Sequence, residues 1–252
     1  MILRLTRSRI VERYRGSLLG GVWILLLPLL MLGVYAFVFS QVFHSHWAGE
    51  GVGGIGFALR LFAGMLVFGV FADCANEAPN LMFANQVYIK QMLFPIEVLG
   101  WVSLLGALWR FAVGFSLLLV LQVATTGLPP LVSPALLLAL LPLAFLTLGI
   151  SWILSSLGVF LRDLSQIVGV LTQALMFLSP VFYPASRVPE ALQSWFHVNP
   201  FVTILESVRT PLFEGRPPDW QALAIVTAAT FAFAWASHAW FQRAKSTFAD
   251  VI

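Results

Sequence analysis

The sequence predicts an all-α, polytopic membrane protein with six transmembrane helices, an N-terminal amphipathic interface helix and a short re-entrant helical hairpin before the last span. Hydrophobic residues make up 60% of the 252 positions and charged residues only 10%. The mean hydropathy is +0.90. A soluble domain of this length could not bury so much apolar surface. We therefore expect one membrane domain that covers residues 1–252.

The first sixteen residues form a basic arm in front of the first apolar segment. Four arginines lie between residues 7 and 15, and no charge follows until after residue 43. On a helical wheel, one side of the arm collects Leu3, Thr6, Ile10, Tyr14, Ser17 and Leu18. This pattern is typical of a helix that lies on the membrane surface. A plain basic tail beside the membrane explains the charges equally well.

Six segments are predicted as spans. The first has 26 uncharged residues, which as a helix would rise roughly 39 Å against a hydrocarbon core of about 30 Å. The second is expected to start after Arg60 and carries Asp73 and Glu77 at its inner end. Turn signals in TTGLPP, residues 125–130, separate the third span from the fourth. The predicted boundaries are 18–43, 61–79, 98–125, 133–160, 164–182 and 220–240.

The stretch 187–219 is too polar to span the membrane and too apolar for a free loop. Pro189 can start one short helix with Glu190 beside it, and Asn199 can cap a second that begins at Pro200 and stops before Pro211. An apolar face of the second helix collects Phe201, Ile204, Leu205, Val208 and Leu212, and the other face collects Thr203, Glu206, Ser207 and Thr210. The pattern predicts either a re-entrant hairpin or a surface hairpin anchored by aromatic residues.

Basic residues predict the orientation of the spans, because lysine and arginine in short flanks stay in the cytoplasm. Nine basic residues fall on the side of the two termini and four on the other side, while Arg110 lies within a span. Both termini are therefore expected in the cytoplasm. The net charge of +3 mostly reflects this asymmetry, so we expect no nucleic-acid partner.

The sequence offers little for catalysis or for binding a cofactor. Cys74 is the lone cysteine, and His44 and His46 form a pair without a third metal ligand. The stretch GVGGIG, residues 51–56, follows no strand and is expected to be a flexible connector. Neither of the two lysines belongs to a GxxxxGK[ST] loop, so we expect no ATP, cofactor or metal site in this chain. Any ATP must be bound by another subunit.

Four stretches carry a resemblance to a known family. The opening RYRGSLLGGVWILLLPLLMLGVYAFVFSQVF is similar to the start of the membrane subunit of bacterial type-2 ABC exporters for polysaccharide. NQVYIKQMLFPIEVL at 85–99 is similar to the family's cytoplasmic segment after span two. GVFLRDLSQIVGVLTQALMFLSPVFYP at 158–184 is similar to its fifth span, and HVNPF at 197–201 follows in the expected order.

The resemblance implies the permease half of a transporter in the bacterial inner membrane. Two copies of the chain would form the pathway, and two ATP-binding cassette subunits would bind ATP and Mg beneath it. The expected cargo is an O-antigen polysaccharide on an undecaprenyl carrier. Capsular polysaccharide, teichoic acid and a small efflux substrate stay open as alternatives. A membrane glycosyltransferase is less favoured because the chain has no DxD motif.

The resemblance also assigns expected roles to residues. The cytoplasmic segment would couple the permease to the ATPase through Gln86, Tyr88, Lys90, Gln91, Phe94, Pro95 and Glu97. Ile96 stands where the family pattern has a basic residue, so an ion-pair role is not carried over to Glu97. The arm would meet the ATPase or lipid head groups through Arg9, Arg13, Tyr14 and Arg15.

Aromatic residues are the expected contacts for a sugar cargo. The candidates for the pathway are Tyr35, Phe39, Phe43, Phe177 and Tyr183, together with Arg110. The same aromatic stripes are also explained by lipid contact or packing, and Arg110 by a structural ion pair or snorkelling. Trp195, Phe196 and Phe201 are expected to belong to a gate that the hairpin 187–219 forms on the extracytoplasmic side.

Overall fold

The computed structural model describes residues 1–14, 20–38, 54–86, 94–127, 135–184, 196 and 198–248. All regular secondary structure within these ranges is helical, which confirms the predicted all-α class. The α-helices are α1 (Ile2–Tyr14), α2 (Trp23–Phe37), α3 (Gly54–Glu77), α4 (Val98–Thr126), α5 (Ala135–Phe160), α6 (Leu164–Leu178), α7 (Pro200–Arg209) and α8 (Trp220–Ala244). Within the described part, α3 lies at the centre and contacts α2, α4, α5, α6 and α7.

In the part of the chain that the structure describes, five segments are long and apolar enough to cross a membrane: Gly20–Phe37, Ile55–Asn80, Val98–Thr125, Leu136–Phe160 and Trp220–Thr247. They confirm a polytopic membrane protein. Inside the bundle, 72% of the apolar window of α3 is buried, whereas none of the window of α2 is. The helix α2 therefore lies at the periphery of this chain, and the predicted part of span one beyond residue 38 lies outside the described residues.

The fifth predicted span is shorter than expected. The helix α6 ends at Leu178 instead of continuing to residue 182, and its 15 residues rise only about 22 Å, less than a hydrocarbon core of about 30 Å. Ser179 leaves the helix with φ −106° and ψ 150°, because the residue before Pro180 is sterically pushed out of the helical region. A turn at 179–181 follows.

The second predicted span begins earlier than expected, since α3 starts at Gly54 and not at Leu61. Arg60 does not end the helix because its charge has partners. Its guanidinium lies 3.7 Å from the Glu214 carboxylate and 5.4 Å from the centre of the Phe213 ring. The connector predicted at 51–56 is therefore wrong for 54–56, which are helical, while 51–53 lie outside the described residues, as do His44 and His46.

The arm is helical from Ile2 to Tyr14, as one of the two interpretations predicted. It packs against α4 and buries Thr6, whose hydroxyl donates to the Ile2 carbonyl at 3.1 Å. Leu3, on the predicted apolar side of the arm, is 76% exposed and is not part of the contact with α4. The structure describes the backbone of α1 at Arg13 and Tyr14, and Arg15 lies outside the described residues.

The helix α7 follows the predicted pattern. The Asn199 side chain accepts a hydrogen bond from the Phe201 amide at 3.0 Å, and Pro200 occupies the first turn. The predicted apolar face is buried along its whole length. Ser207, on the predicted polar face, is also buried, so burial around α7 extends beyond its apolar face. After Arg209 the chain makes a π-helical turn, Thr210–Glu214, that ends at Gly215 with φ 68°. The predicted first helix of the hairpin lies outside the described residues.

Candidate functional site

The bundle has two chemically different ends. We call the end that carries α7 and the start of α3 the hairpin end, and the opposite end, which carries α1, the end of α3 and the start of α4, the arm end. An open cleft of about 770 Å³ lies at the arm end between α1, α3 and α4. Its charged lining residues are Arg9, Glu12, Asp73, Glu77 and Arg110.

Two ion pairs connect the walls of this cleft. The Arg9 guanidinium binds the Glu77 carboxylate at 2.9 Å, and that carboxylate also accepts a hydrogen bond from the Ser103 hydroxyl. Arg110 donates from Nε and Nη2 to one oxygen of Asp73 at 2.8 and 2.7 Å. The first group joins the arm to α3 and α4, and the second joins α3 to α4. An ion pair was one of the alternatives that the sequence left open for Arg110, and the sequence did not identify Asp73 as the partner.

The pair Asp73–Arg110 also borders a second, smaller cavity. This space of about 330 Å³ lies between α2 and the helices α3 and α4. Apart from the ion pair its lining is almost wholly apolar: Trp23, Ile24, Leu27, Pro28, Met31, Tyr35, Phe62, Met65 and Leu66. An ion pair thus lies where a polar cleft meets an apolar cavity.

The end of the predicted coupling segment is tied to α5 and α8. The Glu97 carboxylate accepts a hydrogen bond from Gln242 Nε2 at 3.3 Å and lies 3.7 Å from Lys245 Nζ. Trp152 Nε1 donates to the backbone carbonyl of Glu97 at 3.2 Å. An ionic partner for Glu97 therefore comes from the distant Lys245 and not from position 96, which sequence reasoning missed.

Electrostatics keep the Glu97 carboxyl ionised. Partial burial raises its pKa, but hydrogen bonds from its own amide and from Gln242 and the charge of Lys245 lower it by more, so the pKa lies below its usual range. Ile96 is buried and Phe94 packs on the core, whereas Pro95 and Gln86 are exposed. Tyr88, Lys90 and Gln91 lie outside the described residues.

Aromatic side chains gather at the hairpin end. Phe177 and Phe182 stack with ring centres 5.3 Å apart, and the Tyr183 hydroxyl donates to the Phe177 carbonyl at 2.8 Å. The Phe196 ring lies 6.2 Å from that of Tyr183. Tyr35 and Phe182 pack against the same buried pair, Phe57 and Leu61. The structure thus brings predicted pathway residues of α2 and α6 together, while Phe39, Phe43 and Trp195 lie outside the described residues.

Phe201, predicted as a gate residue, is a core residue. It is 2% exposed, and its ring centre lies 5.1 Å from Phe68 and 5.0 Å from Phe71. These contacts fix α7 against α3. Gln122 connects α4 to the turn after α7, since its side-chain amide donates to the Leu212 carbonyl at 2.8 Å.

Arg209 makes a buried polar contact at the hairpin end and is 6% exposed. Its Nε donates to the Arg60 carbonyl at 3.1 Å, and its two terminal nitrogens donate to the carbonyls of Pro180 and Val181. A Cβ at Gly64 would overlap the guanidinium. Sequence reasoning treated Arg209 only as a basic flank; a charged residue within the apolar face of α7 was the available signal.

A protein-family model matches most of the chain. The model of the ABC-2 type transporter family matches residues 2–213. The chain belongs to this family. It is thus a multi-pass membrane subunit of a transporter, as the resemblance implied, and the family is one of transport subunits and not of catalytic ones. Among the described residues, no group of three or more His, Cys, Asp or Glu side chains could hold a metal ion.

Two curated relatives match the chain over its whole length, and a third matches most of it. The O-antigen export system permease protein RfbA of Myxococcus xanthus is 28% identical, and the match covers 100% of this chain and 95% of the relative. The protein of the same name from Klebsiella pneumoniae is 24% identical with the same coverage. The polysialic acid transport protein KpsM of Escherichia coli is 24% identical over 81% of this chain and 77% of the relative.

Replacing Gly64 by alanine should displace the Arg209 guanidinium from its three carbonyls and destabilise the protein by about 1–3 kcal/mol, the usual cost of overpacking. The matched control is Gly69→Ala on the same helix, where a Cβ would meet nothing within 4 Å. Thermal melting of the purified chain in detergent measures both. The double variant Gly64→Ala/Arg209→Met should melt no lower than Arg209→Met alone. Equal melting of the two alanine variants would show that Arg209 does not hold this end.

Proposed function

We propose that the chain is the permease half of an ATP-driven exporter that moves lipid-linked O-antigen polysaccharide across the bacterial inner membrane. The observation that carries this proposal is the match to O-antigen permeases over 95–100% of both chains. The polysialic acid relative supports a capsular cargo less well, because that match omits about a fifth of each protein.

The proposed assembly contains two copies of the chain and two ATP-binding cassette subunits, which hold ATP and Mg. Membership of the ABC-2 family supports the ATP-binding partner, and the chain carries no phosphate-binding loop of its own. The undecaprenyl-linked glycan would pass between the two copies.

The arm end would face the cytoplasm. The described Arg9, Arg243 and Lys245 lie at this end, and the basic excess of the sequence belongs to the same side. Both termini would then be cytoplasmic. Arg9, Arg13, Tyr14 and Arg15 would meet the ATPase or anionic head groups there. Because Arg9 binds Glu77, movement of the arm would pull on the end of α3.

The segment from Gln86 to Glu97 would transmit the motion of the ATPase. Its exposed part would contact the partner, while Phe94 and Ile96 hold its far end in the core. Glu97 then joins this end to α5 through Trp152 and to α8 through Gln242 and Lys245. A displacement of the segment would therefore be passed to α4, which follows it, and to α5 and α8.

At the hairpin end, residues 187–219 would close the pathway on the extracytoplasmic side. The described half, α7, is rigidly packed through Phe201 and Arg209, so it would serve as the fixed support of the gate. Phe196 lies beside Tyr183 and, with Trp195, would contact sugar at the closure. Tyr35, Phe39, Phe43, Phe177 and Tyr183 would line the route to it. Cross-linking the two hairpins of a dimer is the direct test of this gate.

Deleting the gene from its bacterium should abolish surface O-antigen and leave undecaprenyl-linked glycan inside the cell, because synthesis continues without export. A plasmid copy should restore the O-antigen ladder on gels of lipopolysaccharide, but only when its ATPase subunit is present. Normal O-antigen together with a missing capsule would contradict the O-antigen proposal and favour the capsular alternative.

Single cysteines at Tyr88, Lys90 and Gln91 should cross-link to the ATPase subunit in the assembled exporter. Cross-linking from the native sequence should be low, because its lone cysteine, Cys74, is buried. The control is a cysteine at Val198, which is 79% exposed at the hairpin end and should form no link to the ATPase. If none of the three positions links while the complex stays assembled, the coupling role of the segment is wrong.

A further inference from the structure

We propose that Arg110 is the residue that binds the phosphate of the lipid carrier, and that Asp73 is its internal competitor. This inference rests on the proposed function and names a substrate contact within it. The site is the boundary between the polar cleft of about 770 Å³ and the apolar cavity of about 330 Å³, both of which Asp73 and Arg110 line.

The two spaces together match the chemistry of a phosphorylated isoprenoid. Such a lipid has a branched apolar chain joined to a charged head that carries sugar. Aromatic and aliphatic side chains line the smaller space, from Trp23 on α2 to Phe62 on α3. The larger space offers polar groups, including Asn76, Asn85 and Ser103. Only at their boundary would a phosphate and the first carbons of its chain both find suitable surroundings.

Arg110 has the geometry that phosphate requires. A guanidinium presents planar N–H groups that bind phosphate oxygens in pairs. Arg110 already directs two such groups, from Nε and Nη2, at a single carboxylate oxygen. A phosphate oxygen can take the same place. An ionisable residue in the middle of an apolar helix is also more often functional than incidental.

Asp73 is suited to exchange. Its side chain is 44% exposed and that of Arg110 is 26% exposed, so separating the pair leaves neither charge deeply buried. Ion pairs with this exposure hold weakly, and the open cleft can hydrate the released carboxylate. The neighbouring Glu77 does not compete for Arg110, because it holds Arg9 and Ser103. The local competitor of a bound phosphate is therefore Asp73.

The apolar cavity is accessible from the side of α2. None of the described residues of α2 is buried, and Leu27 and Met31, which line the cavity, are about half exposed. In this chain α2 is thus a loosely packed outer wall of the cavity. A carrier could enter between α2 and α3 with its chain in the cavity and its head toward the cleft.

The test uses two substitutions that break the same ion pair but should change the affinity for undecaprenyl phosphate in opposite directions. Asp73→Asn frees Arg110 and should tighten binding of undecaprenyl phosphate about tenfold, whereas Arg110→Gln should weaken it about tenfold, as expected for one charge-assisted contact. Native mass spectrometry of the intact exporter in detergent measures both affinities. In the double variant, the gain from Asp73→Asn should vanish. Arg110→Lys, which keeps the charge without the planar fork, should fall between the wild type and Arg110→Gln.

Two further probes and one control sharpen the result. Undecaprenol, which lacks the phosphate, should bind equally to all variants. The affinity for phosphatidylglycerol should change much less across the variants than the affinity for undecaprenyl phosphate. An equal change would overturn the assignment to the isoprenoid carrier. Glu77→Gln removes a carboxylate one turn away from Asp73 and should change the affinity by less than about twofold, because Glu77 engages Arg9 and Ser103 rather than Arg110. If Glu77→Gln tightened binding as much as Asp73→Asn, the loss of any negative charge in the cleft would explain the effect, and the role of Arg110 would be overturned.

A merely structural ion pair would shift both single variants in the same direction, which would also overturn the proposal. Its failure can be told apart from failure of the proposed function. If the wild-type gene restores O-antigen export while neither substitution alters lipid binding, only this site is wrong. If the wild-type gene does not support O-antigen export, the proposed function itself is wrong.

Discussion

The hairpin end depends on one buried guanidinium. The helix α6 stops at Leu178, and the carbonyls of Pro180 and Val181 beyond it have left the helical hydrogen-bond ladder. Backbone polar groups at membrane depth need protein partners, because lipid offers none. Arg209 supplies them and at the same time binds the Arg60 carbonyl of α3. Gly64 leaves the space this requires. A short sixth helix, a bent turn and the hairpin helix α7 are thereby joined into one unit.

The arm end differs from the hairpin end because its charged contacts are partly exposed and not buried. Its ion pairs, Arg9–Glu77 and Arg110–Asp73, are partly exposed, and pairs of this kind contribute only about 0–1 kcal/mol each. Each can exchange partners at low cost. The contrast between a fixed hairpin end and an exchangeable arm end suits a subunit that another protein drives from the arm side. Motion can enter there without loosening the packing around α7.

Hydropathy and turn chemistry predicted most of the fold. The bounds of α4, the start of α8 and the Asn199 cap of α7 follow from local patterns. Two of the errors have different physical origins: a charge was judged without its tertiary partners, and a proline was judged without its steric effect on the residue before it. Arg60 was expected to precede a span but lies inside one because Glu214 and Phe213 balance it. Pro180 was expected within a span but ends it early.

The site was harder to predict than the fold because its contacts join distant parts of the chain. Arg110 meets Asp73 37 positions away, and Arg209 meets the Arg60 carbonyl 149 positions away. No local period connects such positions. The sequence did identify Arg110 as unusual and did select aromatic residues that gather near Phe182. It could not distinguish Phe201, which is buried in the core, from an exposed aromatic residue at a gate.

We propose that a hairpin anchored by Arg209 closes the extracytoplasmic side between two copies of the chain. Single cysteines at exposed hairpin positions, such as Val198 and Arg216, can be scanned for a disulfide between the copies. Export and ATP hydrolysis are then measured in the reconstituted exporter before and after reduction. We expect that the disulfide-locked exporter hydrolyses ATP but moves no glycan, and that reducing the disulfide restores export. Full export through locked hairpins, or no disulfide at any exposed hairpin position, would contradict it.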